Sequence, residues 1–348
     1  MGARVHAQGR TIATVALVTA CHPGAPGRGL PMGLEADGVL GVVRDGGGCG
    51  GGLEVGIWGE RWGTRGVVPA VAEEEESGDL WVWFPIQTAL GDGEAALHLR
   101  EDAAVLPLGA RDGEFEVGLR RASPPDEATL AARAASNAVA VAEAQDAWAA
   151  GRFLLRSGER VVGDLRLAGT QAQIAVYDAT WLTPRPVDTR ISLEGADLVV
   201  SFPVEPSFQG ERGVLRINSA LWEAVVPMDQ QATGLDRRLQ LVPGERGPAE
   251  RRAAVAEAAR EADAIERASV QSLGARLAAE AWQDGACAAI GDLDPSWTVL
   301  FAGYNVEIVP EGGACVVVVS PTLSQQGRRF AGRVTSAEEE ETLRAGAP

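Results

Sequence analysis

The sequence predicts an α+β protein. Two β-rich domains, sandwich- or barrel-like, stand in tandem, each followed by an Ala-rich helix, with a small C-terminal αβ piece after them. Three observations predict this: an internal duplication, short apolar runs punctuated by Gly, Pro and Asp, and two long Ala-rich segments that open on proline.

The duplication is carried by three blocks in one order. Asp79-Leu80-Trp81-Val82-Trp83-Phe84-Pro85 matches Asp197-Leu198-Val199-Val200-Ser201-Phe202-Pro203, 118 residues downstream. Before it, Trp58-x3-Trp62-x-Thr64-x3-Val68 matches Tyr177-x3-Trp181-x-Thr183-x3-Val187 at an offset of 119. After it, Ala104 to Leu108 matches Ala224 to Met228 at 120. Near-constant spacing of this kind is the mark of a repeated structural unit.

In the first copy, strands are expected near Val39–Arg44, Leu53–Trp58, Gly66–Val71, Leu80–Phe84, Ala95–Leu99, Ala103–Leu108 and Phe115–Leu119. In the second they are expected near Phe153–Arg156, Val161–Leu167, Gln173–Tyr177, Thr189–Leu193, Leu198–Phe202, Gly213–Asn218, Ala224–Met228 and Arg238–Val242. Short alternating or apolar runs with turn formers between them indicate a sandwich or small barrel. Phe84-Pro85 and Phe202-Pro203 fit strand ends, because proline cannot donate to a ladder.

The first copy ends in Pro124-Pro125-Asp126 and an Ala-rich helix to Ala150, with Leu130, Ala134, Val141 and Trp148 on one face. The second ends in a helix opened by Pro248 and running to about Trp282, with Val255, Ala258, Ala262, Ile265, Leu273 and Leu277 as its apolar stripe. The repeats therefore span 36–150 and 151–283. In 284–348, Trp297–Ala302, Tyr304–Val309 and Cys315–Ser320 read as three strands, and Ser336-x-x-Glu339 as a capping box for a short terminal helix.

Forty-eight acidic residues stand against 31 arginines with no lysine, a net charge of −17. That balance disfavours nucleic acid, whose phosphates need a basic surface. The absence of lysine removes Schiff-base chemistry and a P-loop together. No apolar run reaches the roughly 18 residues of a spanning helix.

Residues 1–10 carry Arg4 and Arg10 and no acid, and Thr11 to Ala20 is an uncharged, mostly apolar run. This is the shape of a secretory signal over 1–20. Val18-Thr19-Ala20-Cys21 follows, and resembles the lipobox of bacterial lipoproteins. The resemblance covers only the first 21 residues or so. It implies cleavage before Cys21, lipid attachment there, and the envelope as address (the outer membrane if the cell is Gram-negative), with secretion as the alternative. Residues 21–35, rich in Gly and Pro, read as a tether. Cys287 and Cys315 are candidates for a disulfide in an oxidising compartment, with two buried thiols as the other reading. Cys49 lies in a glycine run.

No catalytic set emerges. His98 is the one histidine beyond the tether, and it reads as a surface strand residue. There is no Gly-x-Ser-x-Gly elbow to partner it. Three histidines and no CxxC pair argue against a structural zinc site, and neither a metal nor a cofactor is expected. Asp79 and Asp197, shared by the copies, read as turn or cap residues. Alternation puts Trp81 and Trp83 on one strand face, a possible ligand platform.

The expectation is therefore a lipid-anchored, non-enzymatic binding or scaffold module, with an envelope protein or a glycan as partner. Lipid is its only expected hold on the membrane. The alternatives are a carboxylate-based envelope hydrolase and a carbohydrate- or peptidoglycan-binding protein.

Overall fold

Residues of alternating burial run through both copies, and they close into two barrels. The structure is a computed structural model that describes residues 30–46, 52–101, 103–111, 113–204, 212–228, 235–301, 303–322 and 331–335. The first barrel is the antiparallel meander β1 (Met32–Ala36), β2 (Val39–Asp45), β3 (Leu53–Trp58), β4 (Val68–Glu74), β5 (Leu80–Thr88), β6 (Gly91–Leu99), β7 (Ala103–Pro107) and β8 (Glu116–Ala122), closed by pairing of β1 with β8. The second is β9 (Arg152–Ser157), β10 (Arg160–Ala168), β11 (Gln171–Val176), β12 (Val187–Glu194), β13 (Asp197–Pro203), β14 (Arg212–Asn218), β15 (Glu223–Val225) and β16 (Arg238–Pro243), closed by β16 on β9. Helix α1 (Glu127–Ala150) follows the first barrel and α2 (Pro248–Ala281) the second.

The duplication extends to the register. Trp81 opposes His98 as Val199 opposes Arg216, His98 opposes Val105 as Arg216 opposes Val225, and Ala104 opposes Leu119 as Ala224 opposes Leu239. Strand β1 begins inside the stretch read as a tether. Its Met32 and Leu34 point inward, and it supplies the eighth strand without which the barrel would have open edges. The lipobox with Cys21, the Cys49 loop centre and the terminal capping box lie outside the described residues.

Both barrels are filled by side chains rather than lumens. Val82, Phe84 and Ile86 of β5 enter the first core with Leu34, Ile57, Leu97, Leu106 and Trp62. Leu198, Val200 and Phe202 of β13 enter the second, where the Trp181 ring meets Phe202 edge-on at 5.8 Å. The repeated W/Y-x3-W-x-T motif is a loop closure. Thr64 Oγ1 accepts the Ile57 N–H at 3.1 Å, and Thr183 Oγ1 accepts the Val176 N–H at 2.7 Å. Each threonine thereby folds the loop back and carries Trp62 or Trp181 into its core. Thr183→Val keeps the shape but orphans a buried N–H, and is expected to lower stability by about 1–3 kcal/mol. Urea denaturation measures this, and a loss within experimental error would mean the loop closes without the threonine.

The helices read as expected at their starts. Asp126 Oδ1 accepts the Thr129 N–H at 2.7 Å as the α1 N-cap, and Pro248 occupies the first turn of α2. α1 buries Leu130, Asn137, Val141, Ala144 and Trp148. It stops at Gly151, whose φ of 63° is left-handed and whose Cβ, if present, would meet the Leu167 carbonyl at 2.2 Å. Asn137 donates to the carbonyls of Gly59 (2.9 Å) and Trp62 (3.1 Å), so α1 clamps the β3–β4 loop.

α2 departs from its single expected stripe. Ala258 packs with Tyr177 and Leu182 of the second barrel, whereas Val270, Leu277 and Ala278 pack with Trp297, Phe301, Val317 and Val319 of the C-terminal piece. The buried face rotates between two partners, which leaves Ile265 exposed and Glu266 buried, held by the Tyr304 hydroxyl.

That piece comprises the hairpin β17 (Trp282–Gln283) and β18 (Ala286–Cys287), helix α3 (Ser296–Leu300), and a sheet of β19 (Tyr304–Glu311), β20 (Ala314–Pro321) and β21 (Gly332–Thr335). Of Trp297–Ala302, expected as a strand, Trp297 to Leu300 lie instead in α3 and Phe301 is its C-cap, while Ala302 lies outside the described residues. Asp294 Oδ1 accepts the Ser296 N–H, and Trp297 and Phe301, four apart, reach α2 together as only a helical turn allows. The third strand is β21, whose Val334 lies on Gly274 of α2. A disulfide joins Cys287 to Cys315, with Cα atoms 5.6 Å apart, and ties β18 to β20.

The barrels are joined by mutual insertion. Ala220 and Leu221, in the β14–β15 turn, enter the first core, and Ala89, Ala144 and Trp148 enter the second. The loop after β7 docks on the second barrel's end: Asp197 Oδ2 accepts the Ala110 N–H (2.8 Å), and Asn218 Nδ2 donates to the Leu108 carbonyl (2.8 Å). Arg216 lies between Glu194 (2.6 Å) and Glu114 (3.6 Å).

Candidate functional site

Four of the residues singled out in the sequence, Asp79, Trp81, Trp83 and His98, converge at one end of the first barrel. β5 presents Trp81 and Trp83 outward, as alternation predicts, while β6 lays His98 beside Trp81. The imidazole and the Trp81 ring are parallel within 6° at 4.3 Å. His98 is therefore not a surface residue: it is 8% exposed, because the indole covers it. Alternation correctly places it on the outer face, but cannot foresee a neighbour large enough to bury it.

The β4–β5 turn brings two carboxylates to this histidine. The Glu75 N–H donates to the Asp79 carbonyl (2.9 Å), continuing the ladder one step beyond β4. The ligating atoms of Glu75, Asp79 and His98 all lie within 4.8 Å of one another. Asp79 Oδ2 is 3.5 Å from His98 Nε2 without hydrogen-bond alignment, and Nε2 is buried with no hydrogen-bond partner. Glu75 Oε1 accepts the Trp81 indole N–H at 2.7 Å, and its Oε2 accepts the Ser77 hydroxyl at 3.3 Å. The indole bond, and to a lesser degree Ser77 and the nearby positive groups, hold the exposed Glu75 carboxyl below the usual carboxylate range. Glu75, one of four consecutive acids from Glu73 to Glu76, carries no signal in the sequence that sets it apart from its neighbours. Only the register across the turn distinguishes it.

Trp81 and Trp83 do not make a flat platform. Their planes are 29° apart with centroids at 6.3 Å, Trp83 is 37% exposed, and one face of Trp81 is covered by His98.

Asp197 has a different role from Asp79. It is fully buried at the junction between barrels, and burial pushes its carboxyl up against the pull of the Ala110 N–H, Asn218 and Arg216. Its bonds make it a cap across domains rather than an acid catalyst. The second barrel also carries a depression lined by Arg152, Arg166, Arg251, Asp164 and Glu245. Each of its charges has a partner: Arg152 and Arg166 pair with Glu245 at 2.9 and 2.8 Å, and Arg251 with Asp164 at 3.2 Å. Burial, with the Asp164 hydrogen bond, raises the Tyr177 hydroxyl beside it well above its ordinary value, so it stays protonated.

No described helix is long and apolar enough to cross a membrane. The chain matches no protein-family model, no curated protein and no solved structure.

Proposed function

We propose that the chain is an exported lipoprotein, held at the envelope by lipid on Cys21, whose joined barrels serve as a non-enzymatic binding or scaffold module. The observation that carries this reading is the mutual insertion of the two filled barrels, with α1 spanning both. Rigid bodies that display outer surfaces suit presentation or spacing better than turnover, which needs a cleft around reacting atoms. Among the described residues, the carboxyl raised by burial is Asp197, locked in the junction, so the paired acids of a glycoside hydrolase find no support. The tilted, partly covered Trp81 and Trp83 give little support to stacking on sugar rings.

The envelope address is supported by the basic and apolar N-terminal pattern and by the Cys287–Cys315 disulfide, a bond that persists in oxidising compartments. Anchoring by several acyl chains on one cysteine needs no further membrane contact. The test is expression in a bacterium with labelled palmitate and mass spectrometry of the isolated protein. Label on a chain beginning at Cys21, lost in Cys21→Ser, is expected. An unlabelled chain that retains Met1 to Ala20 would end the envelope reading.

A further inference from the structure

We propose that Glu75, Asp79 and His98 form a binding site for a divalent transition-metal ion of the zinc type. The histidine is more than nine-tenths buried, and its Nε2, without a hydrogen-bond partner, lies at ion-pair distance from Asp79. A tetrahedral ion holding nitrogen and oxygen at about 2.0–2.1 Å sets those two atoms about 3.3–3.4 Å apart. The observed 3.5 Å separation is close to that, too long for a good hydrogen bond yet suited to a shared ion.

The surrounding groups act as outer partners of metal ligands do. The Trp81 N–H fixes one oxygen of Glu75, and the Trp81 ring fixes the plane of the imidazole. One imidazole with two carboxylates suits zinc-like ions better than calcium or magnesium, which favour oxygen alone. Glu75 is exposed at the rim, which gives an ion access and leaves room for water as a further ligand.

The second copy gives an independent argument. By register, Glu75 opposite Asp79 corresponds to Glu194 opposite Asp197, and His98 corresponds to Arg216. In the second barrel a permanent guanidinium stands in this set, 2.6 Å from Glu194 and near enough for its charge to act on Asp197. In the first, the same place holds an imidazole, which is a lone-pair donor when neutral. Among the described residues no arginine forms an ion pair with Glu75 or Asp79. The positive charge that one copy encodes in its sequence is, in the other, left for a bound cation to supply.

The test does not depend on where the protein resides. The full chain, stripped with chelator, is titrated with Zn2+ by calorimetry beside Glu75→Gln, Asp79→Asn and His98→Gln. Binding by the wild-type chain is expected, with each variant weaker by at least the about 10- to 100-fold that even an outer partner of a ligand is worth. Glu75 is exposed, so Glu75→Gln keeps the experiment decisive should His98→Gln fold poorly. Zn2+ binding that is unchanged in Glu75→Gln puts the ion elsewhere and overturns the site. So does a wild-type chain that binds none, which would leave a histidine–aspartate ion pair.

Discussion

Arg216→Met should lower the free energy of unfolding by about 3–5 kcal/mol at neutral pH, the cost of removing one partner from a buried ion pair. Arg216 is 3% exposed, and it is the cation within reach of both Glu194 and Glu114 at the junction, with Asp197 close enough to feel its charge. Methionine restores most of the volume but takes the guanidinium from Glu114 and Asp197 and leaves Glu194 with Arg111 alone, at 3.6 Å. The deficit should shrink as pH falls, and both shifts agree on the sign. Arg216 chiefly holds the Glu194 carboxyl low, a contribution fully present above the ordinary carboxylate pKa and lost as pH falls from there through the lowered one. Asp197 is already raised by burial and would rise further without the guanidinium, so its ionisation destabilises the folded variant increasingly as pH rises. Urea denaturation of both proteins at neutral pH and near pH 4 measures this. A pH-independent difference would show that the loss is one of packing rather than charge.

Trp148→Ala should cost about 3–5 kcal/mol, the range for truncating a large buried aromatic. Trp148 leaves the end of α1 and meets Phe153 at 4.9 Å and Trp222 at 5.8 Å, and Arg61 from the first barrel lies over the far ring at 4.5 Å. The cavity would therefore open where α1, both barrels and the β14–β15 turn meet. We expect the thermal transition to broaden or split, because the junction that makes the barrels unfold together is lost. A single sharp transition, shifted by the full amount, would instead locate the coupling in the Ala220–Leu221 insertion and the contacts of Asp197, Asn218 and Arg216. The milder Thr183→Val change removes one hydrogen bond within one loop and should leave the coupling intact.

Much of the fold was legible because it rests on local periodicity. Alternation at Trp81-Val82-Trp83-Phe84 fixes which side chains face the core, and the 3.6-residue spacing of Leu130, Val141 and Trp148 fixes the buried face of α1. Where a segment answers to two partners, periodicity fails. The stripe on α2 broke at Ile265 for this reason, and Trp297 to Phe301 read as a strand because the two rings that demand a helical turn are explained only by the distant α2. Strand β1 was hidden for another reason: its five residues begin inside a Gly- and Pro-rich stretch, and only barrel closure calls for them.

The sequence by itself determined that one β-rich unit occurs twice, which faces its strands bury, and where its helices start and stop, since each depends on near neighbours and on repetition. Tertiary structure alone decided that the units close as barrels, that the second's turn fills the end of the first, and that polar atoms of Glu75, Asp79 and His98 lie within 4.8 Å of one another. The physical reason is register. A turn and a strand 19 residues further on meet only once β4, β5 and β6 have paired, and the same pairing places an arginine in one copy where the other holds a histidine.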